Sequence, residues 1–129
     1  MDDFTKAVGE TFVWHELYSP DVSGSKSFYT QLFGWDTSEM ETPGGTYTMW
    51  KKGETSIGGC MSLQAPEMEG VPPHWTIYIA VDNVDAKVDK AVSMGGSLMV
   101  PAMDLPGIGR MALLSDPHGA TFWVYTPAG

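Results

Sequence analysis

Residues 11–63 and 74–127 run through the same order of elements, a strand, a helix and three strands, and this internal repeat leaves very few folds open. Residues 11–19 are rich in aromatic and β-branched side chains and short enough for a strand. Ser19-Pro20-Asp21 offers an N-cap followed by a proline suited to a first helical turn. Val22, Ser25, Phe28, Tyr29, Leu32 and Phe33 recur at helical spacing, and Gly34 stands where a left-handed cap belongs. Strands are expected over 47–51 and 57–63, separated by the turn Lys51-Lys52-Gly53-Glu54, with a weaker strand over 35–38 ahead of Pro43-Gly44-Gly45. Residues 64–73 hold three prolines, one glycine and two glutamates without apolar periodicity, and read as a linker.

The pattern then restarts. A strand over 75–81 leads to a cap at Asp82-Asn83, then Val84, Val88, Ala91 and Val92 at helical spacing, with Gly95-Gly96 closing the helix. Strands follow over 98–101, 110–115 and 121–125, and Asp116-Pro117-His118-Gly119 has the preferences of a type I turn. A shift of 62 residues lays Val22 on Val84, Leu32 on Met94, Gly34 on Gly96 and Leu63 on Tyr125. One half exposes a sheet face it cannot cover alone, so two βαβββ modules must pack as a single α+β domain over residues 1–129. An ordinary α+β sandwich with accidental symmetry is the alternative.

Charge narrows the partners. Asp and Glu number 16 against 7 Lys and Arg, a net charge of −9, which repels nucleic acid and anionic membranes. One cysteine excludes an intrachain disulfide and fits a reducing compartment. The start is acidic and polar where a signal peptide is basic and apolar, and no run approaches the roughly 18 apolar residues of a membrane span. The expectation is a cytoplasmic protein.

Trp14-His15-Glu16-Leu17-Tyr18-Ser19-Pro20-Asp21 and Phe28-Tyr29-Thr30-Gln31-Leu32-Phe33-Gly34-Trp35 resemble the first half of a vicinal oxygen chelate protein. This is the superfamily of glyoxalase I, extradiol dioxygenases and bleomycin-resistance proteins. Tyr78-Ile79-Ala80-Val81-Asp82-Asn83, Gly95-Gly96, Pro106-Gly107-Ile108-Gly109-Arg110 and Asp116-Pro117-His118-Gly119 resemble its second half. The resemblance covers residues 11–127 and implies a curled sheet around a cleft, with helices outside. In metal-using members it further implies a divalent ion on up to four side chains, usually His or Glu, from the first and last strand of each half. Those slots fall on Trp14, Met61, Thr76 and Trp123. None is a plausible ligand for a hard or borderline ion, so no metal and no other cofactor is expected.

Other ligand types are scattered. His15 is one residue out of register with Trp14, which sends it to the helix-packed face, and His15-Glu16 lacks the second histidine of a zincin motif. Cys60 should point away from the cleft, His118 into solvent, and His74 toward a cleft mouth. A slip of one residue would bring His15 and Cys60 into the cleft. Gly107-Ile108-Gly109 precedes a strand and is no dinucleotide fingerprint; with Met103-Asp104-Leu105-Pro106 it reads as a loop over the cleft rim. Glu39, Glu41, Glu67 and Glu69 read as solubilising charges.

Alternation from these slots puts Trp14, Glu16, Tyr18, Met61, Thr76, Tyr78, Met111, Leu113, Trp123 and Tyr125 on the cleft wall. Aromatic walls with few polar fixtures suit a small-molecule pocket, although the same rings also suit a plugged core. Glu16 is the one carboxylate of that wall and the candidate catalytic residue; burial there is expected to raise its proton affinity. Three functions follow as expectations. The first is metal-independent binding of a small aromatic or amphipathic ligand, as in sequestration or resistance. The second is lyase, isomerase or hydroxylase-like chemistry through Glu16 or a displaced metal site. The third is a plugged module whose purpose is to form a homodimer.

Overall fold

The computed structural model describes residues 9–42, 45–64 and 68–128. Pro43, Gly44, Glu67 and the acidic start lie outside the described residues. Ten elements follow one another: β1 (Thr11–Ser19), α1 (Val22–Phe33), β2 (Asp36–Thr42), β3 (Gly45–Lys52), β4 (Thr55–Ser62), β5 (His74–Ala80), α2 (Val84–Ser93), β6 (Ser97–Leu105), β7 (Gly109–Ser115) and β8 (Thr121–Pro127). This is the expected βαβββ order, twice over. Among the described residues no helix is long and apolar enough to cross a membrane.

The chain divides into two compact units, one of Trp14–Thr76 and one of Ile77–Gly129 with the segment ending at Val13. In the first, the strands run β2-β3-β4-β1, closing with a parallel β1/β4 pair. Leu17, Trp50 and Cys60 form its buried cluster, with Val22, Tyr29, Trp35 and Ile57 packed around it. In the second, the order is β5-β8-β7-β6, closing with a parallel β5/β8 pair. There α2 lays Val84, Val88 and Ala91 on Val81, Ala112, Leu114 and Val124.

Punctuation sets the helix ends. Asp21, not Ser19, caps α1: its carboxylate accepts the Gly24 N–H at 2.9 Å, while Ser19 Oγ accepts the N–H of Asp21 at 3.0 Å and pairs with Ser25. Gly34 ends α1 at φ 72, a left-handed conformation glycine adopts without Cβ strain. Asn83 caps α2 through Ala86, and the left-handed residue after it is Gly95, one place before the one the repeat points to. Asp116 closes its turn as expected, accepting from the backbone of His118 and Ala120.

Two strands are longer than their patterns suggest. β2 runs to Thr42, and β6 runs to Leu105, so Met103, Asp104 and Leu105 pair with Met111, Arg110 and Gly109 and are no loop. Irregularities between Leu98 and Val100 and between Val100 and Met103 break the period-2 alternation of β6. Arg110 fixes the base of this hairpin, bonding both Asp85 oxygens at 3.0 and 2.9 Å and Asp104 at 3.0 Å.

These bulges change the internal register. Glu16 lies opposite Gly59 in β1/β4, whereas Tyr78, its counterpart 62 residues on, lies opposite Trp123 in β5/β8. The β4 counterpart of Trp123 is therefore Gly59, not Met61, and Tyr125 matches Met61, not Leu63. The extra residues fall in the β6/β7 hairpin, where Ser97 pairs with Ser115, against Asp36 with Lys51 in β2/β3.

Candidate functional site

In the first unit the expected wall residues are buried: Trp14 is 2% exposed, Glu16 3% and Thr76 5%. Strand alternation puts Trp14, Glu16 and Tyr18 on one face of β1 and Leu17 on the helix-packed face. Trp14 and Glu16 meet through a residue the repeat did not single out. Tyr47, from β3, accepts the indole N–H of Trp14 at 2.8 Å and donates its hydroxyl to Glu16 Oε2 at 2.6 Å. Burial first, and the Glu16 carboxylate next, push the Tyr47 phenol far above the ordinary tyrosine range. The signal was present in the sequence, since Gly58-Gly59 leaves room on β4 and an aromatic stands across the hairpin.

That room is filled. A Cβ on Gly59 would fall 1.7 Å from the Tyr47 hydroxyl oxygen. Tyr18 stacks on His74, ring centres 5.1 Å apart, and Met61 is half-buried opposite Tyr18. Cys60 points to the cluster with Leu17 and Trp50, as alternation requires, and burial, then Glu16, pushes its thiol up to about 11. His15 is exposed beyond the helix-packed cluster, its Nδ1 3.4 Å from the Ile57 carbonyl oxygen, and His118 is exposed on its turn.

In the second unit Tyr78 and Trp123 stack with centres 5.5 Å apart and planes 6° from parallel, and Tyr125 meets Tyr78 edge-on. The Tyr125 hydroxyl donates to the Ile108 carbonyl at 2.7 Å. Met111 lies opposite Tyr125 and Leu113 opposite Trp123 in β7/β8; Met111 is buried and Leu113 half-buried. Trp123 Nε1 is buried and has no hydrogen-bond partner among the described residues, and the same holds for Thr76 Oγ1.

The four positions that would carry a divalent ion do not fit one. Trp14 and Trp123 present donors only, Gly59 presents no side chain, and Thr76 offers a lone neutral hydroxyl. Among the described residues no three His, Cys, Asp or Glu side chains cluster with metal-holding geometry.

Known proteins agree with this architecture. The chain is 42% identical over 119 residues to CFP32 of Mycobacterium tuberculosis, named as a glyoxylase, with 92% of this chain and 44% of that protein covered. It is 36% identical over 124 residues to the anthracycline biosynthesis protein DnrV of Streptomyces peucetius, with 87% and 45% covered. The chain thus spans less than half the length of these curated relatives. Methylmalonyl-CoA epimerase from Mycobacterium tuberculosis superposes with a TM-score of 0.65 at 14% identity, covering 95% of this chain and 91% of that one. At that identity the likeness shows the fold alone. The family described as the Glyoxalase/Bleomycin resistance protein/Dioxygenase superfamily matches residues 11–124, and the chain belongs to it.

Proposed function

We propose that this chain binds a flat, carbonyl-bearing aromatic small molecule through stacking and hydrogen bonds, without a metal ion. The observation that carries this reading is the Trp123 indole N–H, buried beside the Tyr78 ring and unpaired among the described residues. A buried donor without an acceptor costs about 1–3 kcal/mol, and native proteins keep few of them. A ligand carbonyl that accepts from Trp123 while its ring system stacks on Tyr78 relieves that cost. The relatives named for anthracycline biosynthesis support a polycyclic aromatic ligand class. Because the N–H is out of contact with water, the ligand has to displace the side chains that shield it, so association is slower than diffusion allows.

The probe is emodin, a trihydroxyanthraquinone, titrated against intrinsic tryptophan fluorescence. Saturable quenching is expected. Trp123→Phe keeps an aromatic ring but loses the donor, and weakens binding by about threefold to tenfold with the fold intact. Absence of saturation, or equal affinity in the variant, overturns the reading.

A second reading, acid–base chemistry by Glu16, is favoured by the fixed carboxylate at 2.6 Å from the Tyr47 hydroxyl. With a turned-over substrate in hand, Glu16→Gln would lower turnover by about 10²–10⁴; a substrate processed equally by both forms would eliminate it.

A further inference from the structure

We infer that Tyr47 has taken over the β4 ligand position of this unit: its hydroxyl fills the space of the missing Gly59 side chain and links Trp14 and Glu16 into a relay that a divalent ion cannot enter. Three observations carry this. The β1/β4 register makes Gly59, opposite Glu16, the counterpart of Trp123. A Cβ at Gly59 would meet the Tyr47 hydroxyl oxygen at 1.7 Å and the carbon bearing it at 2.3 Å, so the two side chains are mutually exclusive. The hydroxyl is also engaged on both sides, accepting from Trp14 at 2.8 Å and donating to Glu16 at 2.6 Å.

The chemistry of the relay explains the exchange. A buried carboxylate needs a cation or strong donors. Tyr47 supplies a donor, and because its oxygen also accepts from an indole, the phenol is polarised toward the carboxylate. Tyr47 is thus a positioning residue, fixing the orientation of Glu16. A metal ion at this place would need a side chain from residue 59, which Tyr47 excludes, and a neighbour other than an indole N–H, which repels cations. This inference stands apart from Trp123 and the aromatic ligand, and neither result decides the other.

A double-mutant cycle on the full chain tests it, with unfolding in urea as the measurement. Gly59→Ala is expected to raise the unfolding equilibrium constant about tenfold to a hundredfold when Tyr47 is present. In a Tyr47→Val background the same change is expected to cost less than about threefold, since the obstructing hydroxyl and ring are gone. Equal penalties in the two backgrounds would overturn the inference. Calorimetric titration of the chelator-treated wild-type chain with zinc, nickel and manganese salts is a second arm that needs no variant to fold. No saturable site is expected, and one equivalent of ion held in competition with a chelator would overturn it. Tyr47→Phe separates the hydroxyl from the ring. Loss of the hydroxyl removes the closest obstruction to a residue 59 side chain and leaves the ring carbon at 2.3 Å, so Gly59→Ala should cost less there than in the wild type and more than in the Tyr47→Val background; a penalty unchanged from the wild type would overturn the assignment of that space to the hydroxyl.

Discussion

Tyr47→Phe removes one oxygen from a fully packed place, so the stability it costs reports hydrogen bonding and not a cavity. The hydroxyl has two bonds, 2.8 Å from Trp14 Nε1 and 2.6 Å to Glu16 Oε2, between residues that are 2% and 3% exposed. Loss of a neutral buried bond costs about 1 kcal/mol, and loss of one to a charged acceptor about 1.5–3 kcal/mol. The ring volume is unchanged, so no cavity contribution is added. The expected destabilisation is about 2–4 kcal/mol, a large share of the roughly 5–15 kcal/mol that holds a domain together. Urea unfolding followed by tryptophan fluorescence measures it, and with a typical slope of about 2 kcal/mol per molar the midpoint falls by about 1–2 M. Glu16→Gln is the companion, since its amide oxygen still accepts from Tyr47; its cost should be the smaller of the two. A Tyr47→Phe midpoint within experimental error of the wild type, with an unchanged slope, would refute the relay.

Cys60, whose thiol is pushed up to about 11 by burial and by Glu16, holds about a thousandth of its population as thiolate at pH 8. It should react with a disulfide reagent far more slowly than an exposed thiol until urea unfolds the chain, and fast reaction in the folded state would contradict its place against Leu17 and Trp50. Tyr47, Tyr125 and Cys60 all hold their protons more tightly folded than unfolded, so their contribution to stability is complete below about pH 8.5 and falls as pH rises beyond it. Tyr47 alone contributes a slope of up to about 1.4 kcal/mol per pH unit above pH 10, and a urea midpoint that rises with pH would show that these groups lose protons more readily in the folded chain. Gly109→Ala should destabilise by at least about 2 kcal/mol, because φ is 147 and the new Cβ would meet Thr126 O at 2.3 Å and Tyr125 Cε1 at 2.7 Å; a neutral result by thermal melting would show that the β7 start relaxes freely.

Much of this fold was legible because punctuation carries it. Gly34, Asn83 and the Asp116 turn stand where caps and turns require them, and β1 is found over the residues that its composition marks. The parts that were not legible share a cause, which is that repeat arithmetic assumes equal spacing. β6 contains irregular pairs that break its alternation, so its end reads as a loop and the β4 position is misplaced onto Met61 instead of Gly59. The repeat does not mark Tyr47, because it comes from a strand the slots do not use, and only the space above a glycine reveals it. His15 shows the complementary limit: alternation gives the face of a strand but not how far a helix reaches along it, and α1 leaves His15 uncovered.

The way the two compact units divide the chain sets an order for synthesis on the ribosome. Trp14–Thr76 is one continuous stretch, and its closing pair, Tyr18 with Met61, is available as soon as residue 76 has emerged. The other unit is discontinuous, since it joins the segment ending at Val13 to Ile77–Gly129, and Glu10 donates its N–H to the Ala80 carbonyl at 3.0 Å. The segment that ends at Val13 must therefore wait for strands that are made later. At roughly 5–20 residues per second, that wait lasts several seconds. The continuous unit can form during that interval, while the discontinuous one is completed only after β8 is released.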